Sequence, residues 1–511
     1  MAENLNVEVR TDRGRVSGRI ESVGDRLVAV FRGIPYAEPP FGALRFAAPE
    51  PAGAWDGVRP AVDFGPPVPS CDRMNPANSP AGTADPAPDC LTVNVWSPEV
   101  GATGLPVMVW FHGGSYVFGH AGDPVYDGGP MAAEGVVMVT FNYRVGMEGF
   151  GYLAGAPANR GLLDQVAALR WVRRNIAKFG GDPERVTVFG ESAGAGSIAA
   201  LLASEQVAGL LRRAVLQSVP GLYFTPALGA DVAAVVAARL GLPATAEALR
   251  AADPAELVRA GEEAFAKRAE QADRWGVLAH AETVLAPVVD GSLPARTPWE
   301  ALARGAASGV DVMLGWNREE YRLFMAKRGE FGTVDAALAT RALSVFGRSA
   351  GGERAYREAY PGLGAEELYE RVCSDWMCRV PTLDLLEARA QADGRTFGYE
   401  LRWPAPVAGG ALGACHGLDV PLVLGTLDSP VARQLLGPEP GPETRELSRR
   451  MRGAWVRFAD TGDPGWPAYG VRDRRTKVFD RSDGLAVDPL RASREMWKGS
   501  VFGVLDLAPG V

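Results

Sequence analysis

Ser192 lies at the centre of Gly190-Glu191-Ser192-Ala193-Gly194, directly after the apolar run Val186-Thr187-Val188-Phe189 and directly before a small-residue stretch, Ala195 to Ala203. A strand, a sharp turn and a helix form the context in which the pattern G-x-S-x-G carries chemistry. The flanking glycines let strand and helix approach closely, and the turn holds the serine in a strained conformation. Its hydroxyl is then pushed out at the carboxyl end of the strand, with the N–H of Ala193 pointing toward a reacting oxygen. The chemistry this favours is nucleophilic acyl transfer. The pentapeptide alone suits a plain Gly-rich turn equally well, so other residues have to complete the site.

A serine needs a base, and histidine is the usual one. The chain has four: His112, His120, His280 and His416. His112 opens His-Gly-Gly after the strand-like Val107 to Phe111, a place for backbone N–H donors, and His120 follows within the same loop. His280 sits in an undistinguished mixture of polar and apolar residues. His416 lies in the tight GACHGLD loop (413–419) after the strand-like Phe397 to Trp403, C-terminal to the serine as the order Ser, acid, His requires. The acid that fixes the imidazole must come between them. Val310 to Gly315 reads as a strand, and Glu319 and Glu320 follow it. The residues alone leave both open, and either also suits a surface carboxylate starting a helix.

Apolar runs at Leu91 to Trp96, Pro106 to Phe111, Val136 to Phe141 and Val186 to Phe189 read as short buried strands, and Leu162 to Phe179 as an amphipathic helix. Before them come short strands at Asn6 to Val9, Arg15 to Ile20 and Arg26 to Phe31, then a Pro-rich loop from Pro66 to Pro88. The fold class is therefore α/β with a mostly parallel sheet. Residues 227–271 and 336–395 are Ala- and charge-rich with helical periodicity. They are expected as helical insertions covering the carboxyl edge of the sheet in a single domain, 1–511. Glu443 to Phe458 reads as a further helix.

With 47% hydrophobic and 22% charged residues, the composition is that of a globular protein. A net charge of −8 without basic blocks argues against nucleic acid and acidic membrane surfaces. The N-terminus, Met1 to Arg15, lacks the apolar core of a signal peptide, and no window reaches the ~18 apolar residues of a membrane span. A cytoplasmic location is the expectation. Lysine supplies only five of 53 basic residues, which suggests a G+C-rich bacterial genome. Cys71 and Cys90 can close a short loop, although stable disulfides are unusual in the cytosol. Cys373, Cys378 and Cys415 lack metal-binding spacing and read as buried thiols.

Several long segments carry a family likeness. FRGIPYAEPPFGALRF (31–46), DCLTVNVW (89–96), NYRVG (142–146), Asn159 to Asp182, FGGDPERVTVFGESAG (179–194) and WPAY (466–469) together resemble the type-B carboxylesterases. That α/β-hydrolase family includes cholinesterases, bacterial p-nitrobenzyl esterases and the non-catalytic neuroligins. The resemblance implies that GWNREE (315–320) supplies the acid at its last position, Glu320, leaving Glu319 at the surface. It implies the triad Ser192, Glu320 and His416, and an oxyanion hole of Gly114, Ser115 and Ala193. It also implies a supporting hydrogen bond from Ser218, an architectural ion pair between Arg144 and Asp164, and a pairing of Cys71 with Cys90 as in extracellular relatives.

Three positions depart from the family pattern. Ser115 stands where Gly or Ala is usual, keeping its N–H but adding a hydroxymethyl. Val219-Pro220 replaces a usual Gly near the acyl pocket, and proline stiffens the stretch. Pro88 replaces an acid, so Arg45 is expected to lose its usual carboxylate partner. The sequence thus points to a serine carboxylesterase working through an acyl-enzyme on small-molecule esters, with no cofactor and no metal. The alternatives are a dedicated natural-product hydrolase or acyl-transfer enzyme, favoured by Ser115 and Val219-Pro220, and a non-catalytic binding module. The last is disfavoured because silent members lack a triad residue and this chain has all three.

Overall fold

The computed structural model describes residues 6–71, 89–347, 352–392, 394–499 and 502–509. They form two compact units. The first comprises Met1–Arg213, Leu222–Thr297 and Val504–Val511, the second Ala214–Gly221 and Pro298–Gly503.

The first unit carries strands β1 (Asn6–Arg10), β2 (Arg15–Val23), β3 (Arg26–Pro35), β4 (Val58–Pro60), β5 (Thr92–Ser97), β6 (Leu105–Phe111), β7 (Val137–Phe141) and β8 (Gly181–Glu191). Their order is β1-β2-β3-β5-β7-β6-β8, with β4 beside β2. Along the path β1-β2-β3-β5-β7 each pairing is antiparallel, β4 runs parallel to β2, and β7, β6 and β8 run parallel. The parallel strands are the continuous apolar runs of the sequence, since a strand covered on both faces has no polar alternation. From Val107 to Phe111 and from Val137 to Phe141 no residue exceeds 1% exposure, which places the core of this unit there.

The expected helix after β7 runs from Arg160 to Asn175 and tightens into a 3₁₀ turn, Ile176–Phe179. It starts after Asn159, which sits at φ 52°. The Asn159 amide donates to the carbonyls of Val288 and Leu293 at 2.7 Å each and accepts from the Val288 N–H at 2.8 Å. Residues 227–271 are helical as expected, in the helices Pro226–Ala238, Ala246–Arg250 and Pro254–Ala266 and the 3₁₀ turn Arg268–Gln271.

In the second unit the strands are β9 (Arg213–Gln217, of which Arg213 belongs to the first unit), β10 (Asp311–Asn317), β11 (Thr396–Leu401), β12 (Arg475–Phe479) and β13 (Gly484–Val487), in that spatial order. β10, β11 and β12 are parallel, and β13 closes the edge antiparallel. Over residues 336–395 the described part is helical: Ala336–Phe346, Gly352–Ala359, Ala365–Ser374, a π turn Asp375–Arg379 and Val380–Ala390. The helix expected at Glu443 to Phe458 spans Pro442–Thr461. No helix among the described residues is long and apolar enough to cross a membrane.

Candidate active site

Ser192 ends β8 and begins the helix Ala193–Leu202 with φ 54° and ψ −122°, off the ordinary regions for a side-chain-bearing residue. Such a position costs about 1–3 kcal/mol and persists only where the surroundings dictate it. Two glycines supply the constraint. A Cβ on Gly194 would lie 2.1 Å from the Phe111 carbonyl oxygen, and one on Gly190 would lie 2.7 Å from the same oxygen. The turn is therefore pressed against the end of β6 more closely than any side chain allows. Between 186 and 202 every residue is buried except Ser192. The strain buys exposure of one hydroxyl.

The loop after β6 meets this elbow. A Cβ on Gly113 would stand 3.1 Å from the Glu191 carbonyl oxygen and 3.5 Å from the Ser192 Cβ. Gly114, Ser115 and Tyr116 follow with φ of 117°, 55° and 63°. Gly114 and Ser115 are half-buried, and among the described residues no acceptor takes their N–H groups. Ala193 heads its helix, where the first N–H groups have no intrahelical acceptor. The nucleophile candidate and the three oxyanion candidates thus belong to one unit, with their donors unspent.

His112 is no base. It is buried, its Nδ1 lies 2.8 Å from the Gly113 carbonyl oxygen, and its ring stacks on Tyr143 at 4.2 Å. Burial pushes its pKa down to about 4. Tyr143 returns a hydrogen bond to the His112 carbonyl at 2.6 Å. His120 and His280 are half-buried.

The second unit assembles the other candidates. β10 ends at Asn317, and the turn after it delivers a fully buried Glu320. His416 Nδ1 lies 2.7 Å from Glu320 Oε2. The opposite oxygen, Oε1, accepts the Ser218 hydroxyl at 2.6 Å and the Asn317 N–H at 2.8 Å. Ser218 itself sits at φ 56° just past β9, and its N–H donates to the Gly315 carbonyl at 2.8 Å. Glu320 therefore arrives with its lone pairs oriented by two donors and its third partner the imidazole.

Glu319 corrects the sequence reading. It is half-buried rather than a plain surface residue, and its Oε2 accepts the Ala414 N–H at 2.9 Å while its own N–H donates to the Ala414 carbonyl at 3.0 Å. The two acids divide the work: Glu320 holds the imidazole and Glu319 holds the loop that carries it. Arg45, with Pro88 in place of its usual acid, finds another partner. It has a carboxylate, Glu148, at 2.6 Å in a buried pair. Arg144 and Asp164 form the anticipated ion pair, with contacts of 2.8 and 2.7 Å and the Arg144 N–H adding a third at 3.0 Å.

Sequence reasoning missed the layer behind the histidine. Asp419 is fully buried and accepts from Gln217 at 2.7 Å, from Asn317 at 3.2 Å and from the Tyr399 hydroxyl at 3.3 Å. Burial, with Glu320 nearby, raises its pKa. Its only sequence signal was an acid three residues after His416. Burial also pushes the thiols of Cys90 and Cys415 up to about 12, so neither is a thiolate near neutral pH. Cys71 is half-buried, and most of the segment joining it to Cys90, residues 72–88, lies outside the described residues. Glu320, Cys378 and His416 are a group whose ligand atoms lie within 4.8 Å of one another. The carboxylate and imidazole of that group are already bonded to each other.

A half-buried serine on a strained elbow, unspent N–H donors beside it, and a buried carboxylate–imidazole pair are the parts of a serine hydrolase. Comparison with known proteins agrees. The sequence profile of the carboxylesterase family matches residues 5–481. The chain is 34% identical to the para-nitrobenzyl esterase of Bacillus subtilis over 95% of its own length and 97% of the relative's. It is 35% identical to the fumonisin B1 esterase of Sphingopyxis macrogoltabida, covering 96% of this chain and 92% of that one. The crystal structure of a Geobacillus stearothermophilus carboxylesterase superposes with a TM-score of 0.81 at 34% identity, covering 96% of this chain and 99% of that one. With motifs, fold and full-length similarity in accord, the chain belongs to the carboxylesterase family, α/β-hydrolases that cleave carboxylic esters with a serine nucleophile.

Proposed function

We propose that Ser192, His416 and Glu320 are the triad of this esterase and that Gly114, Ser115 and Ala193 form its oxyanion hole. His416 takes the Ser192 proton as the hydroxyl oxygen attacks the ester carbonyl. The tetrahedral oxyanion is held by the three N–H groups, each worth roughly 3 kcal/mol in comparable sites. The alcohol leaves with the proton from His416, and water activated by the same base releases the acid. Ser218 and the Asn317 N–H hold Glu320 so that it favours the Nδ1–H tautomer of His416.

The observation that carries this reading is the Ser192 backbone at positive φ, in a turn whose two glycines press against the Phe111 carbonyl. The substrate class is a small-molecule carboxylic ester. Ser115 and the buried Val219-Pro220 stretch, whose Val219 N–H donates to Thr382 at 2.9 Å, favour selection over broad tolerance. The two relatives are an esterase of fumonisin B1 and a para-nitrobenzyl esterase, so selection for one ester class is compatible with this framework. A panel of p-nitrophenyl esters of increasing acyl length tests both points. Turnover across the panel marks a generalist, turnover of one narrow class a dedicated enzyme, and no covalent labelling of Ser192 by a phosphonate would overturn the triad.

We further propose a bacterial, cytoplasmic enzyme that works as one catalytic domain, with 227–271 and 336–395 as insertions over the carboxyl edge of the sheet. Cys71 and Cys90 are proposed to lie within bridging reach. Thiol counting on protein purified without reductant tests the pair: three thiols mean a bridge, five mean none.

A further inference from the structure

The loop offering the N–H groups of Gly114 and Ser115 is held by a side chain far away in sequence. Gly114, Ser115 and Tyr116 all have positive φ, and two of the three carry a Cβ. A stretch so far from ordinary backbone territory keeps its shape only when its peptide planes are fixed from outside. Each of its carbonyls has a donor. The Gly114 oxygen takes the N–H groups of Val117 and Phe118 at 2.9 and 3.1 Å, and the Tyr116 oxygen takes that of Gly146 at 2.7 Å. The Ser115 oxygen takes the hydroxyl of Thr283 at 2.9 Å, across 168 residues of chain.

Thr283 is built for this contact. It is 3% exposed, and its β-branch leaves few rotamers. Its oxygen accepts the Leu285 N–H at 3.2 Å, which leaves one proton to give. Of the two carbonyls within reach, Ser115 at 2.9 Å is nearer than Leu285 at 3.2 Å. Of the three anchors on the loop, this is the one made by a side chain, and so the one a substitution can remove.

We propose that Thr283 is the positioning residue of the oxyanion hole. By fixing the Ser115–Tyr116 peptide it stops the planes on either side of the Ser115 Cα from counter-rotating. The Ser115 N–H lies in the neighbouring plane with the Gly114 carbonyl, which the loop's own Val117 and Phe118 N–H groups hold, so the Thr283 hydroxyl, from outside the loop, completes the fixing of its aim at the developing oxyanion. The inference rests on the proposed role of Gly114, Ser115 and Ala193.

The test compares wild type with Thr283→Val, which keeps the shape and loses the hydroxyl, and Thr283→Ser, which keeps the hydroxyl. Two inhibitors accompany a p-nitrophenyl ester: a trifluoromethyl ketone, which adds to the serine and forms an oxyanion, and the matching alcohol, which cannot. For Thr283→Val, kcat should fall about 10- to 100-fold with KM nearly unchanged, because misaimed donors are lost in the transition state alone. Ketone affinity should fall in step with kcat and alcohol affinity should hold. Thr283→Ser should stay within about threefold of wild type.

The inference is overturned if kcat of Thr283→Val stays within about twofold, if both inhibitors weaken equally, or if Thr283→Ser is impaired as much as Thr283→Val. If Thr283→Val does not fold, Thr283→Cys reads the same inhibitor ratio with a weaker donor of similar size. A wild-type enzyme that binds the ketone no tighter than the alcohol would instead sink the oxyanion-hole assignment, and this inference with it.

Discussion

The two halves of the proposed catalytic apparatus keep their geometry by different means. Around Ser192, the Thr283 anchor apart, the backbone does the holding: positive φ at Gly114, Ser115, Tyr116 and Ser192, and glycines at 190 and 194 where a Cβ would strike the Phe111 carbonyl. Around His416 side chains do it. Glu320, Ser218, Asn317, Gln217 and Asp419 are joined by hydrogen bonds that link residues up to 202 positions apart. An oxyanion hole needs rigid dipoles that do not reorganise, and packed backbone provides them. A base needs a proton partner whose charge survives burial, which takes several converging donors. The first half should therefore fail when atoms are added and the second when they are removed.

The largest effects test the first half. Ser192→Ala should lower kcat by ~10⁴-fold or more while thermal unfolding stays unchanged, and a fluorophosphonate should no longer label the protein. Retained labelling at wild-type stoichiometry would mean that another residue is the nucleophile. Gly194→Ala should lose labelling as well, but through the fold, since one methyl has to displace the end of β6. A Gly194→Ala protein with wild-type melting and labelling would show that the close approach is not needed.

Removal of one charge tests the second half. Glu320→Gln should cost about 10³- to 10⁴-fold in kcat, because the amide can present a donor to His416 Nδ1 and favour the wrong tautomer. Glu319→Gln keeps an oxygen for the Ala414 N–H and should cost less than about tenfold. Equal losses would erase the distinction between the acid that holds the imidazole and the acid that holds its loop.

The same contrast decided what was legible in the sequence. Backbone devices announce themselves through residues that lack something, so GESAG and the glycines after His112 marked the elbow and its loop before any contact was known. The strands of the parallel core were legible because burial on both faces leaves unbroken apolar runs. The side-chain half was not. Glu319 and Glu320 are adjacent and chemically alike, and only the family likeness separated them. Asp419, Gln217 and Asn317 offered no local pattern, because each is defined by a partner distant in the chain. The partner of Arg45 was missed for the same reason, as nothing near Glu148 in sequence marks it as a replacement carboxylate.

Acidification should loosen the first half specifically. Burial lowers the His112 pKa from 6.5 to about 4. As pH falls below about 6.5 the unfolded chain takes up this proton first, so stability present above that pH is lost down to about pH 4 and then levels off. The span amounts to roughly 3 kcal/mol. His112→Asn cannot titrate, so urea denaturation at pH 7 and pH 4 should show wild type losing roughly 3 kcal/mol more than the variant. Parallel curves for the two proteins would mean that His112 is not buried in its neutral form.

The smallest effect expected is at Ser218, where the two devices meet in one residue. Its backbone is strained at φ 56°, and its hydroxyl donates to Glu320 at 2.6 Å. Ser218→Ala leaves the carboxylate with the Asn317 N–H and the imidazole, so Glu320 stays oriented but loses one charge-assisted bond of about 1.5–3 kcal/mol. Because the loss falls on both ground state and transition state, only part of it should reach kcat, about 3- to 10-fold, with KM steady. Ser218→Gly would relieve the strain as well as remove the hydroxyl. If it outperforms Ser218→Ala, the backbone rather than the hydroxyl dominates here. If neither variant lowers kcat, Ser218 supports the fold and not the base.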